Sequence, residues 1–210
     1  MKSTYFKYFI LCTILILLTE ATKYSLQFDK LLYNSLAENL TSNQIDNFFN
    51  LQKKWQWVSY LFIPIFILLK TCIIASVLYI GTFFYIKNDI TFNKIWTCVI
   101  QAEFVFLLIP VLKIIWFCFF QTNYTLEDIQ YFYPLSALNI TGYQDLDPWL
   151  IYPLQVLNLF ELAYIIYLSY QIGHLTQTNT DNGLKIVCYS YVPALFLWVT
   201  VVMFFTLNYS

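Results

Sequence analysis

Residues 57–86 read WVSYLFIPIFILLKTCIIASVLYIGTFFYI, and Lys70 is the one charged side chain among them. A helix needs roughly 20 predominantly apolar residues to cross the hydrocarbon core of a bilayer, and this run has more than enough. Three further stretches pass the same test, 95–120, 149–171 and 186–207. A fifth, 5–18, is shorter. It follows Lys2 and leads into Thr19, Glu20 and Ala21, so it reads either as an uncleaved signal anchor, the favoured reading, or as a signal peptide cleaved after Ala21. The expected fold is an all-α polytopic membrane bundle of five transmembrane helices, or four if the first is removed.

Composition points the same way. The chain is 60% hydrophobic and 11% charged, whereas soluble domains carry about a quarter charged residues. A net charge of -1 with no basic cluster argues against nucleic acid, which is bound by several phosphate-neutralising cations on one face. Cys12, Cys72, Cys98, Cys118 and Cys188 all fall in apolar stretches, where a thiol behaves as a small hydrophobe, and His174 stands alone. No metal or cofactor is expected.

The loop 121–147 holds four acidic residues and no lysine, so the positive-inside rule puts it outside the cell. The turns carrying Lys87, Lys94 and Lys185 and the amino terminus with Lys2 and Lys7 are then inside, and the carboxyl terminus is outside; Lys53 and Lys54 fit this orientation badly. A bacterial inner membrane is the favoured location. Residues 1–21 form the signal segment, 22–56 a peripheral amphipathic segment, and 57–210 the transmembrane bundle. Within the loop, Thr125 to Asp128 has the pattern of a capping box, and Asp147 followed by Pro148 is the signature of a sharp helix start. Gly173 is the expected stop of the fourth span, and Pro64 a kink or late start in the second.

Functional interest falls on polar residues inside the spans, because charge at bilayer depth is costly and is normally paired or set in a cavity. Gln155, Asn158 and Glu161 recur at intervals of three and, on a continuous helix, share one inward face. Glu103 lies in the third span, with Lys70 available as a cation in the second and Lys113 better suited to snorkelling at a span end. These side chains read either as structural glue, which is favoured, or as an ion or substrate path. Pro110 and Pro193 read as fixed kinks. The sequons at Asn39, Asn123, Asn139 and Asn208 are what an Asn- and Thr-rich chain produces by chance. No hydrolase, metal or phosphate-binding motif accompanies the glutamates, so an enzyme is not expected.

Asn158-Leu159-Phe160-Glu161 within one span, a short loop, then Gly183-Leu184-Lys185-Ile186-Val187 leading into a last span with Pro193, resembles the Yip1-type membrane-domain family and similar Bacteroidetes-type membrane proteins. The resemblance covers roughly residues 133–205 and implies a five-span bundle. It also implies trafficking partners in eukaryotic relatives, although the cytosolic amino-terminal region those use is not recognisable. The expected function is a non-enzymatic interaction or scaffold protein with the bilayer, a membrane-protein partner or a second copy of itself as its contacts; a small transporter or channel component using Glu103 and Glu161 is the alternative.

Overall fold

A computed structural model describes residues 2–85 and 90–209. Lys87 lies outside the described residues, whereas Lys94 falls in the first turn of the helix that begins at Phe92. The chain folds as an all-α membrane bundle, and four helical stretches are individually long and apolar enough to cross a bilayer. They are α1 (Lys2–Ser25), α3 (Ser42–Tyr85), the composite of α4 (Phe92–Glu103) and α5 (Leu108–Phe119), and α10 (Thr180–Tyr209). Shorter elements are α2 (Phe28–Ala37), α6 (Leu126–Tyr131), α7 (Leu138–Thr141), α8 (Pro148–Val156) and α9 (Leu159–Leu175).

Helix α3 differs from the sequence expectation. At 44 residues it extends about 66 Å, and no break separates the amphipathic segment from the span at residue 57. Its start is set by Thr41, whose amide and hydroxyl both donate to the Gln44 side chain at 3.0 Å. Pro64 neither starts nor ends the helix, which runs through it; the Pro64 carbonyl accepts a 2.6 Å bond from the Tyr8 hydroxyl of α1. That contact ties the first helix to the bundle. Helix α1 also runs without interruption past Ala21 and buries Leu11 and Cys12 in the main core.

The core follows helical spacing. Ile74, Ala75 and Leu78 from α3, Ile95, Trp96, Val99 and Ile100 from α4, Tyr164, Leu168 and Ile172 from α9, and Ile186, Val187 and Tyr191 from α10 form one buried cluster. The i, i+3, i+4 pattern places each set on a single stripe. On the outer faces, Phe66, Ile73, Phe83, Phe84 and Phe196 are exposed. A water-soluble monomer seldom leaves so much contiguous apolar surface open, and here it faces lipid.

Close approach of α9 and α10 depends on glycine. A Cβ on Gly183 would run into the Ser169 carbonyl and come within 2.7 Å of the Gly173 nitrogen; small residues let membrane helices pack this tightly. Gly173 does not stop α9, which ends at Leu175. The stop is a Schellman arrangement with Gln177 at φ 55°, in which the Thr178 and Gln177 amides return to the Gly173 and His174 carbonyls at 2.9 and 3.2 Å. Glutamine occupies the left-handed position that glycine usually marks.

Candidate functional site

The predicted fourth span, 149–171, is not one helix. Asp147 and Pro148 open α8 as expected, but the chain leaves helical geometry at Leu157 (ψ 81°) and is extended at Asn158 (φ -139°, ψ 162°) before α9 begins. The exposed backbone groups must find partners, since none can be left open in hydrocarbon. Loop 121–147 provides them. Leu135–Ala137 folds back against the break, where the Ala137 amide donates to the Leu157 carbonyl at 2.9 Å and the Leu159 amide to the Leu135 carbonyl at 3.1 Å. Ser136 and Asn158 form an antiparallel bridge, and Leu135 takes φ 55°, an uncommon left-handed conformation for leucine.

Asn158 therefore does not share an inward helical face with Gln155 and Glu161. It is the N-cap of α9. Its Oδ1 accepts from the Glu161 amide at 2.8 Å, and its Nδ2 donates to the Gln155 and Val156 carbonyls at 2.8 and 3.0 Å. Gln155 sits in α8 and reaches the Tyr131 carbonyl at 3.3 Å. The regular spacing of three arose from a cap and its neighbours.

A milder irregularity surrounds Glu103. Pro110 has no N–H for the Phe106 carbonyl and its ring crowds that oxygen, and the turn before it, Phe104–Leu107, tightens into a 3-10 helix. Glu103 closes α4 immediately ahead of that turn. Only 7% of it is exposed. Lys70 Nζ lies 2.8 Å from its Oε2 and the Tyr164 hydroxyl donates to its Oε1 at 3.2 Å. Lys70 Nζ also stands 4.4 Å above the centre of the Phe106 ring, a cation–π contact. Both carboxylate oxygens are occupied, and the half-exposed lysine stem lies along the apolar surface.

Glu161 has different surroundings. The Tyr191 hydroxyl donates to its Oε1 at 2.6 Å, and Oε2 has no hydrogen-bond partner among the described residues. The residue is half-buried in the wall of a lateral groove of about 1110 Å³, between α5, the folded-back loop, α9 and α10. The two glutamates form no hydrogen bond with each other. Their tyrosines meet instead, with the Tyr164 and Tyr191 rings 5.5 Å apart.

Of the sequence-selected residues, the fold thus joins Lys70 to Glu103, separates Glu161 from any lysine hydrogen bond, and spends Asn158 and Gln155 on the helix break. Lys113 lines a second cavity of about 570 Å³, beside Glu20 and Tyr60. Tyr164 and Tyr191 were not legible as site residues, because two tyrosines among 18 carry no mark of their own. Among the described residues no cluster of His, Cys, Asp or Glu could hold a metal ion.

The rim of the groove is held by α6, whose capping box pairs the Thr125 side chain with the Asp128 amide and returns Asp128 Oδ2 to the Thr125 amide at 2.8 Å. Burial alone would raise the Asp128 carboxyl, but bonds from the Thr125 amide, the Tyr143 hydroxyl and the Thr125 hydroxyl outweigh it and hold the group below its ordinary range. Comparison with known proteins gives no match: no family model, curated protein or solved structure is similar to this chain.

Proposed function

We propose that this is a non-enzymatic multi-pass membrane protein of the interaction class, which holds an apolar guest from the bilayer in the lateral groove at the α8–α9 break. The observation that carries this reading is the contrast in oxygen satisfaction: a half-buried carboxylate with one open oxygen lines a groove of about 1110 Å³. Binding pockets are typically apolar with a few convergent polar groups that fix orientation, and this groove has that make-up. We further propose a bacterial inner membrane, with the amino terminus inside and loop 121–147 outside, on the lysine distribution.

A transporter is the second reading, favoured by the break itself, since discontinuous helices build many substrate and ion sites. Against ion coordination stands the Asn158 amide, which already occupies the Gln155 and Val156 carbonyls at the exposed end of α8.

Binding of dodecanol to the protein in nanodiscs, measured against empty nanodiscs, tests the proposal. Saturable uptake that is lost in Leu162→Trp, which fills the groove, and kept in Phe84→Trp, on an exposed helix face, is expected. Uptake equal to that of empty nanodiscs would overturn it. Proteoliposome flux that depends on Glu161 would favour the transporter.

A further inference from the structure

The groove's charges are all of one sign. Glu161 and Asp128 line it, and no lysine, arginine or histidine does. Lys70 redresses the balance only in part: it is hydrogen-bonded to Glu103 and reaches Glu161 through its field alone, so one lysine serves a buried and a half-buried glutamate. Tyr191 donates a single bond to that carboxylate. An anion-headed guest would meet two carboxylates and no cation, while a neutral hydroxyl can donate to Glu161 Oε2 but leaves its charge without a counter-ion. A cationic guest supplies what is missing, since an intramembrane carboxylate calls for a counter-charge.

The apolar walls have a matching bias. Phe120, Trp116 and Phe132 form a continuous stack, with ring centres 5.2 and 5.4 Å apart. Tyr131 stacks on Tyr143 at 4.9 Å, and the Tyr143 hydroxyl is committed to Asp128 at 2.9 Å. The outer faces of these stacks attract organic cations, quaternary ammonium groups among them. Acidic and aromatic residues in one groove select the same chemistry from two directions.

We infer that the guest is a lipophilic organic cation, an apolar chain or ring system bearing one positively charged nitrogen that is seated against Glu161 Oε2. This rests on the groove-binding reading above and adds the class of ligand to it. The nitrogen end is seated at the α9 amino terminus, where the Glu161 amide donates to Asn158 Oδ1 at 2.8 Å, and the apolar body lies along α10.

The test is binding of a head-group series, dodecyltrimethylammonium, dodecanol and dodecanoate, to the intact protein in nanodiscs of zwitterionic lipid. A quaternary ammonium keeps its charge at every pH, so ligand protonation does not enter. Saturable binding is expected to be tightest for the ammonium, about tenfold weaker or more for dodecanol, which lacks the ion pair and the cation–π attraction, and weakest for dodecanoate. Glu161→Gln should remove the preference for the cation, bringing the ammonium and the alcohol to similar affinities. Equal affinity for ammonium and alcohol would overturn the cation assignment and leave the groove reading standing. If none of the three binds saturably, the groove reading itself fails. A cation preference that survives Glu161→Gln would overturn the role of Glu161. Should that variant not fold, the head-group series on the unmodified chain still decides between these outcomes.

Discussion

Glu103 and Glu161 are the same residue type, each beside an irregular turn in an apolar helix, and they end in opposite situations. Glu103 is sealed between a lysine and a tyrosine with both oxygens used. Glu161 keeps one oxygen open onto a groove. The difference lies less in the glutamates than in what interrupts their helices. Pro110 only tightens one turn of the third span, so α4 and α5 continue together and Glu103 stays among packed helices. Helix α8 ends at Val156, Asn158 caps the start of α9, and a loop pairs with the break between them, beside the groove that Glu161 lines. Around Glu103 a cation fills the space, whereas around half-buried Glu161 loop backbone does and one oxygen stays open.

Several substitutions would break or sharpen that contrast. The largest effect is expected from Lys70→Met, which leaves Glu103 charged and buried without its cation; unfolding in a membrane mimic should show a loss of about 3 kcal/mol, mostly regained in Lys70→Met with Glu103→Gln. Gly183→Ala comes next. The added methyl collides with the Ser169 carbonyl, so the α9–α10 crossing that carries both tyrosine contacts should lose about 2 kcal/mol.

Asn158→Ala removes a cap and the two bonds from the amide nitrogen, and should lower stability by about 1–2 kcal/mol. Hydrogen exchange should then rise at the amide of Glu161. Asn158→Asp keeps the cap and loses only the donors, so it should fall between.

The pH effect is smaller. Asp128 has its carboxyl held below the unfolded value, so its contribution is complete above the ordinary aspartate pKa of about 3.9 and is lost as pH falls through the depressed folded value. Protection of the α6 amides relative to intrinsic exchange should hold near neutrality and fall only in acid, while Asp128→Asn should be less protected throughout.

How far these features could be read in advance varies with how local they are. The membrane class and the apolar spans follow from composition and run length, which no tertiary contact overrides. The capping box at Thr125 follows from side chains acting on their own backbone, and the helix start at Pro148 from the ring that fixes its φ, while the Asp147 side chain makes no cap bond. Lys70 and Glu103 were each recognisable as costly, and their meeting required the packing of α3 on α4. The break at Asn158 was hidden because its partners, Leu135 and Ala137, lie more than twenty residues away and contribute only backbone groups. Without that loop, Gln155, Asn158 and Glu161 look like one stripe of a straight helix. Gln177 concealed the end of α9 in a similar way, by occupying a conformation that usually announces itself with glycine.

The central claim is that one glutamate holds the fold and the other holds a ligand. The most direct test is the thermal stability of the unmodified protein, Glu103→Gln and Glu161→Gln in nanodiscs, each with and without dodecyltrimethylammonium. The account predicts that Glu103→Gln lowers stability yet is still raised by the cation, whereas Glu161→Gln starts within about 1 kcal/mol of the unmodified protein and no longer responds. A cation response that survives Glu161→Gln and is lost in Glu103→Gln would contradict it.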